Sequence, residues 1–272
     1  MVMSFNPTHL KEALSLLSSN DLIPYAGGTD LMIDEREDDA FLFLDQIDEM
    51  KEIKEDSEYI RIGGACTFTQ ILEHSLSPKI LKEAISQLAA PAIRNMGTSG
   101  GNVANGSPKA DTALVYYALD AKVRLCSEKK ERIIPINKFY LGRNKTILEK
   151  DELLVEILIP KKDFTNYYYK KIGARKALAI SRVAFGGIME IKDNKILSFS
   201  AVFGAIDNTI LRFYEIEKNI LNKTIEEAKG LKDGFIEDYQ KNINPITGRI
   251  SAEYRKKVCL NLLRDFLEVN GI

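Results

Sequence analysis

Histidine and cysteine are scarce in this chain: its 272 residues include 2 histidines, 3 cysteines and no tryptophan. His9 and His74 fall in no metal-ligand spacing, so neither a zinc site nor a Ser-His-Asp triad is expected. Cys66, Cys126 and Cys259 form an odd, widely separated set without a Cys-x-x-Cys pair. That usage argues against a disulfide framework and suits a reducing compartment. An iron–sulfur cluster takes a full set of cysteine thiolates, so this chain is not expected to hold one alone. A basic surplus is missing too. With a net charge of −1, the chain lacks the electrostatics that drive binding to nucleic acid or an anionic membrane. No apolar run approaches membrane-spanning length, and the stretch from Met1 to Pro7 lacks the charged and apolar regions of a signal peptide. A cytoplasmic protein is expected.

The two common nucleotide fingerprints are also absent. No G-x-G-x-x-G occurs, which removes the dinucleotide-binding Rossmann turn. Gly101 and Gly106 have Walker-A spacing, but Ser107-Pro108 follows where Lys-Ser/Thr is required. What the chain does have is two glycine loops. Gly97-Thr98-Ser99-Gly100-Gly101-Asn102-Val103-Ala104-Asn105-Gly106-Ser107-Pro108-Lys109-Ala110-Asp111 holds four glycines, three hydroxyls, two amides and one carboxylate. Ala26-Gly27-Gly28-Thr29-Asp30 precedes it. Such loops bury little apolar surface, but their glycines let main-chain N–H groups approach a ligand closely. Gly-Gly and Asn-Gly are also ordinary turn formers. Two such loops, each with hydroxyl and amide or carboxylate groups, point further, to a large phosphate-bearing ligand held from two sides.

Composition is otherwise that of a globular protein, with 45% hydrophobic and 28% charged residues, and the length favours two lobes. Thr8 is placed to cap a helix with Leu10, Ala13, Leu14 and Leu17 on one face. Leu22 to Tyr25, Phe41 to Leu44 and Tyr59 to Ile62 read as short strands. Thr67 and Gln70 form a capping-box pattern. A helix starting after Pro78 buries Leu81, Ala84, Ile85 and Leu88. Beyond Asp111 the pattern turns towards strands: Ala121 to Cys126 pairs with Arg132 to Ile136, and Leu153 to Ile159 follows. Pro160-Lys161-Lys162-Asp163 is the expected lobe boundary. Tyr167 to Ile172, Val183 to Ile191 and Ile196 to Ala205 read as an antiparallel meander. Helices follow at Tyr214 to Leu221, from Thr224 into the thirties, and from Ser251 with Tyr254, Val258, Leu262, Phe266 and Leu267 on one stripe.

Ala26-Gly27-Gly28-Thr29-Asp30-Leu31, together with Ile93-Arg94-Asn95-Met96-Gly97-Thr98-Ser99-Gly100-Gly101-Asn102 running on to Asp111, resembles the FAD-binding subunit of molybdenum hydroxylases. The xanthine, carbon monoxide and nicotinate dehydrogenases belong to that family. The similarity extends through Leu44-Asp45, Ile62-Gly63-Gly64-Ala65, Leu119-Asp120-Ala121, Glu152-Leu153-Leu154, Tyr169 to Arg175 and Tyr254-Arg255.

The resemblance implies an α+β chain. A two-subdomain FAD-binding fold (1–162) is followed by a C-terminal antiparallel sheet with helices (163–272). It implies non-covalent FAD, with the pyrophosphate held by backbone amides of Tyr25, Ala26, Gly27, Gly28, Thr29, Asp30 and Leu31. Amides of Thr98, Ser99, Gly100, Gly101 and Asn102 complete that set, and Asp111, Leu154 and Lys171 match further contact positions. It places molybdopterin and [2Fe-2S] clusters on partner subunits of a hetero-oligomer. Electrons then run through FAD to NAD or another acceptor, with neither a catalytic side chain nor a metal on this chain. Three departures stand out: Ser99 replaces the usual Ile or Leu, Gly106 replaces Ala, and a proline is missing before Arg212. A stand-alone flavin oxidase or dehydrogenase, and an FAD-binding protein without turnover, remain alternatives at this point.

Overall fold

The computed structural model describes residues 3–33, 39–162, 164–248 and 250–272. Met1, Val2 and the boundary residue Asp163 lie outside the described residues. The chain divides into two compact units. The first comprises Met1–Ser77, Leu88–Gly106 and Asp120–Lys161; the second comprises Pro78–Gln87, Ser107–Leu119 and Lys162–Ile272. The helices in chain order are α1 (Leu10–Ser19), α2 (Phe68–Glu73), α3 (Lys79–Ser86), α4 (Pro91–Met96), α5 (Ser99–Ala104), α6 (Asp111–Ala118), α7 (Tyr214–Glu217), α8 (Ile225–Asn242) and α9 (Ala252–Val269).

In the first unit, β1 (Ile23–Tyr25) and β2 (Phe41–Phe43) form a parallel pair with Pro24 opposite Leu42. The strands β3 (Ile53–Glu55), β4 (Tyr59–Gly63), β5 (Lys122–Cys126), β6 (Glu131–Pro135), a β7–β8 hairpin (Tyr140–Gly142, Lys145–Thr146) and β9 (Leu153–Pro160) follow. Five of them build one antiparallel sheet in the order β3-β4-β9-β5-β6. The last strand in sequence thus sits at its centre, and seven of its eight residues are buried. Ala13, Leu14 and Leu17 of α1 pack in one core with Leu42, Leu44, Ile47, Met50 and Val155.

In the second unit, β10 (Tyr167–Ile172), β11 (Val183–Lys192), β12 (Lys195–Gly204) and β13 (Leu211–Arg212) form the expected antiparallel meander, extended by one short strand. Phe185, Phe199, Phe203, Phe235, Tyr239 and Phe266 fill the core between this sheet and α8 and α9. On the other side, Gly186 and Gly204 let α6 approach closely. A Cβ on either would stand 2.8 or 2.7 Å from the Leu114 side chain.

Several expectations need correction. His9, not Thr8, occupies the N-cap of α1 without a side-chain cap bond, and Glu12 reaches back to accept from the Thr8 amide at 3.3 Å. The stretch expected as one long loop contains α5, and α4 precedes it. At Asp111, where no element is expected before the strand at Ala121, α6 begins, and all eight of its residues are buried. A helix without a polar face leaves no 3.6-residue signature. The helix begun at Thr224 runs to Asn242, past the expected end; the capping box of Thr224 and Glu227 starts it. Tyr254 lies 46% exposed, off the buried stripe of α9. The capping box of Thr67 and Gln70 is present as expected.

Candidate functional site

The first glycine loop leaves the end of β1, where the Tyr25 carbonyl accepts from Leu44 N at 2.9 Å. Gly28 then takes a left-handed backbone at φ +66°, a conformation that costs a Cβ-bearing residue strain. The Tyr25 ring folds back beneath it, so a Cβ at position 28 would fall 2.2 Å from the Tyr25 hydroxyl. Phe41 and Phe43 hold that ring, with centroids 5.5 and 5.0 Å away. A tight turn over an aromatic floor results. Among the described residues, the amides of Gly27, Gly28 and Thr29 have no protein acceptor.

The second loop is built differently. Thr98 caps α5 by accepting from Gly101 N at 3.2 Å. Ser99 N donates to the Cys66 carbonyl at 3.0 Å and Gly100 N to the Gly64 carbonyl at 2.8 Å. Asn102 N donates to the Thr98 carbonyl at 3.0 Å. The Ser99, Gly100, Gly101 and Asn102 amides, four of the five expected to face a ligand from this segment, therefore already have protein partners. The glycines here serve backbone packing: a Cβ on Gly100 would stand 2.6 Å from the Gly64 carbonyl oxygen. A Cβ on Gly64 would in turn stand 2.2 Å from the Leu154 carbonyl oxygen. Leu154 is thus the floor of a stack, strand β9 beneath Gly64 beneath α5. Gly101 is the exception. It is exposed, and a Cβ there would meet only Thr98 Oγ1 at 2.8 Å and, at 3.9 Å, Ala26 of the other loop.

The two loops come together. A Cβ on Gly27 would fall 1.9 Å from the Met96 carbonyl oxygen and 3.0 Å from Gly97 Cα, so the first loop lies directly on the join between α4 and α5. Asn105, at the end of α5, donates from its side-chain amide to the Asp30 carboxylate. The convergence fits a phosphate-bearing group: unpaired amides on one loop, an open glycine face on the other, and hydroxyls at Thr29 and Thr98. Leu31 begins the 3-10 turn that follows the first loop.

Asp111 and Lys171 belong to the second unit, where they bind each other. Asp111, 5% exposed at the start of α6, has Oδ2 2.7 Å from Lys171 Nζ and accepts on Oδ1 from Ser181 Oγ at 2.6 Å. Lys171 also donates to the Gln87 carbonyl at 3.1 Å. Burial first, and then the Asp111 charge, pushes the Tyr169 hydroxyl well above its ordinary pKa. Sequence reasoning missed Ser181, Gln87 and Asn105 as partners. A lone serine between apolar and basic residues carries no signal, and Asn105 stood in the loop as one amide among several.

Neither of two open depressions, about 680 and 700 Å³ in volume, includes the glycine loops. One is lined by residues around Lys51 and His74 and the other by residues around His9 and Glu49. Among the described residues no group of three or more His, Cys, Asp or Glu is placed to hold a metal, and no helix is long and apolar enough to cross a membrane. The three cysteines are free, buried and far apart in the chain. Burial pushes the Cys66 and Cys259 thiols up to about 12 and Cys126 to about 11, so none is primed as a nucleophile.

Residues 1–162 match the family of FAD-binding domains in molybdopterin dehydrogenases, and residues 167–269 match the CO dehydrogenase flavoprotein C-terminal domain. The chain is 30% identical to the xanthine dehydrogenase FAD-binding subunit of Escherichia coli O157:H7, over 84% of this chain and 83% of that one. It is 31% identical to the nicotinate dehydrogenase FAD-subunit of Eubacterium barkeri, over 80% of this chain and 78% of that one. A chain in the crystal structure of cyanide-inactivated Cu,Mo-CO dehydrogenase superposes with a TM-score of 0.88 at 27% identity, covering 98% of this chain and 96% of the other. Together with the paired glycine loops, these likenesses place the protein among the FAD-binding medium subunits of the molybdenum hydroxylases, a family of flavin-dependent oxidoreductases.

Proposed function

We propose that the chain holds FAD non-covalently and relays electrons from the [2Fe-2S] clusters of a partner subunit to NAD or another acceptor. The complex would include a molybdopterin subunit, on which substrate is oxidised, and would work in the cytoplasm. One observation carries the cofactor part: two loops far apart in sequence meet, with three main-chain amides left without protein acceptors. In this reading the amides from Tyr25 to Leu31 lie on the pyrophosphate, those of Gly27, Gly28 and Thr29 foremost. The Thr98–Asn102 segment contributes through its hydroxyls, Asn102 and the open face of Gly101, backed by Leu154. Asp111 and Lys171 supply a fixed charge pair as the further cofactor contacts. FAD, when bound, exchanges electrons singly or as hydride; the chain supplies position and electrostatics. Non-covalent attachment is supported by the loops themselves, which contain neither His nor Cys.

The relay reading is supported by the relatives, FAD-binding subunits of xanthine and nicotinate dehydrogenases, and by the cysteine count, too small and too dispersed for a cluster. Its test is flavin bleaching. The isolated chain, reconstituted with FAD, should stay yellow when given purines, nicotinate or similar heterocycles. Adding the iron–sulfur and molybdopterin subunits should make bleaching depend on substrate. Substrate-driven bleaching by the isolated, metal-free chain would overturn the relay and favour a stand-alone flavoenzyme.

A further inference from the structure

We infer that Asn105 is a positioning residue: its side chain latches the two glycine loops together and keeps the Asp30 carboxylate off the cofactor-binding amides. The inference rests on the reading that these loops hold the FAD pyrophosphate. Asp30 is exposed and directly follows Gly27, Gly28 and Thr29, whose amides have no protein acceptor. An aspartate in that position has two ways to spoil an anion site. Its carboxylate can fold onto neighbouring main-chain N–H groups, as Asp side chains in loops commonly do, and its charge opposes a phosphate nearby. Here the carboxylate bonds to none of those amides; it accepts from the Asn105 side-chain amide of the other loop, which fixes where its charge sits.

The backbone of Asn105 is set in advance for this task. Its N–H donates to the Gly101 carbonyl at 3.0 Å, closing α5. The next residue, Gly106, turns with φ +69° and accepts from Asn144 N at 3.0 Å. A Cβ on Gly106 would stand 3.1 Å from Asn144 Cα, so the chain is pinned on the far side as well. Asn105 therefore reaches Asp30 from a fixed base. The latch adds a side-chain tie beside the main-chain contact of Gly27 with Met96.

The test is FAD titration of the deflavinated full chain, read by flavin fluorescence, with thermal unfolding of the apo-protein in parallel. Asn105→Asp puts two carboxylates together and should raise the FAD dissociation constant about tenfold or more. Asn105→Ala should raise it by less. Swapping the pair, Asp30→Asn with Asn105→Asp, restores a donor and an acceptor and should return affinity to within about threefold of wild type. The apo-protein unfolding midpoint should follow neither the loss nor the rescue. Wild-type affinity in both Asn105 variants, with binding lost in Gly28→Val, would overturn the latch and leave the cofactor reading standing. Unchanged affinity in Gly28→Val as well would remove the cofactor reading and the latch with it. Failure of the swap to recover would also overturn the latch, since the loss would then not arise from this hydrogen bond.

Discussion

The first unit offers its candidate site through main chain; the second offers side-chain charge. In the glycine loops the polar groups are backbone amides, partly exposed, held by glycine contacts and one side-chain latch. Around Asp111 they are a carboxylate, an ammonium and a hydroxyl, almost wholly buried and bonded to one another. The difference teaches how each tolerates change. A backbone site fails when a Cβ intrudes, and otherwise depends little on side-chain identity. A buried charge site fails when either partner is removed, because the remaining charge has no water to turn to.

The sharpest break should come from the buried pair. Asp111→Ala leaves the buried Lys171 ammonium with the Gln87 carbonyl as its remaining hydrogen-bond partner among the described residues, and should cost about 3–5 kcal/mol of stability. Equilibrium urea unfolding of the apo-protein measures it; Asp111→Ala with Lys171→Met should recover part of the loss. Next in size is Gly100→Val. Its Cβ would strike the Gly64 backbone, which cannot swing away as a side chain can, so a loss of about 2–4 kcal/mol is expected together with FAD. Gly28→Val combines left-handed strain with the Tyr25 ring and should cost about 1–3 kcal/mol, with FAD affinity falling further than stability. Gly101→Ala should be the mildest for the fold. Its Cβ would press on Thr98 Oγ1, the cap of α5, which a side-chain turn can relieve, so apo stability should fall by about 0.5–2 kcal/mol, while FAD binding weakens measurably. Equal losses of stability in Gly100→Val and Gly101→Ala would erase the distinction between a packing glycine and a ligand-facing one.

Acid probes the buried carboxylates of the first unit. Glu152, bound by Arg132, and Glu156, bound by Arg61 and Arg124, lie in the first unit. Burial opposes their ionisation, yet the arginine hydrogen bonds and charges outweigh it and hold both carboxyls below the ordinary 4.5. A folded-state pKa below the unfolded one means stability that is present above about pH 4.5 and lost as pH falls through the folded value. The apo-protein should therefore weaken on acidification below that point, and Glu152→Gln with Glu156→Gln should flatten that limb of the stability–pH curve while lowering its plateau. An unchanged limb would assign the acid sensitivity elsewhere.

Much of this was legible in the sequence because it was periodic or punctuated. The strands Val183–Lys192 and Lys195–Gly204, the capping box at Thr67 and the loop at Gly27 all follow from local pattern. What escaped was set by tertiary contact. Buried on every side, α6 shows no amphipathic stripe, and α5 is a helix whose Gly100 is demanded by Gly64, a residue far away in sequence. The roles of Ser181 and Asn105 exist only once the chain has folded back on itself. The candidate site was visible as two loops; that they touch, and that the amides of residues 99–102 are already taken by protein acceptors while those of Gly27, Gly28 and Thr29 are not, was not.

The most direct test of the central claim is a crystal structure of the FAD-reconstituted chain. It should show pyrophosphate oxygens within hydrogen-bond distance of the Gly27, Gly28 and Thr29 amides, against the open face of Gly101. Pyrophosphate bound away from both glycine loops would contradict the account.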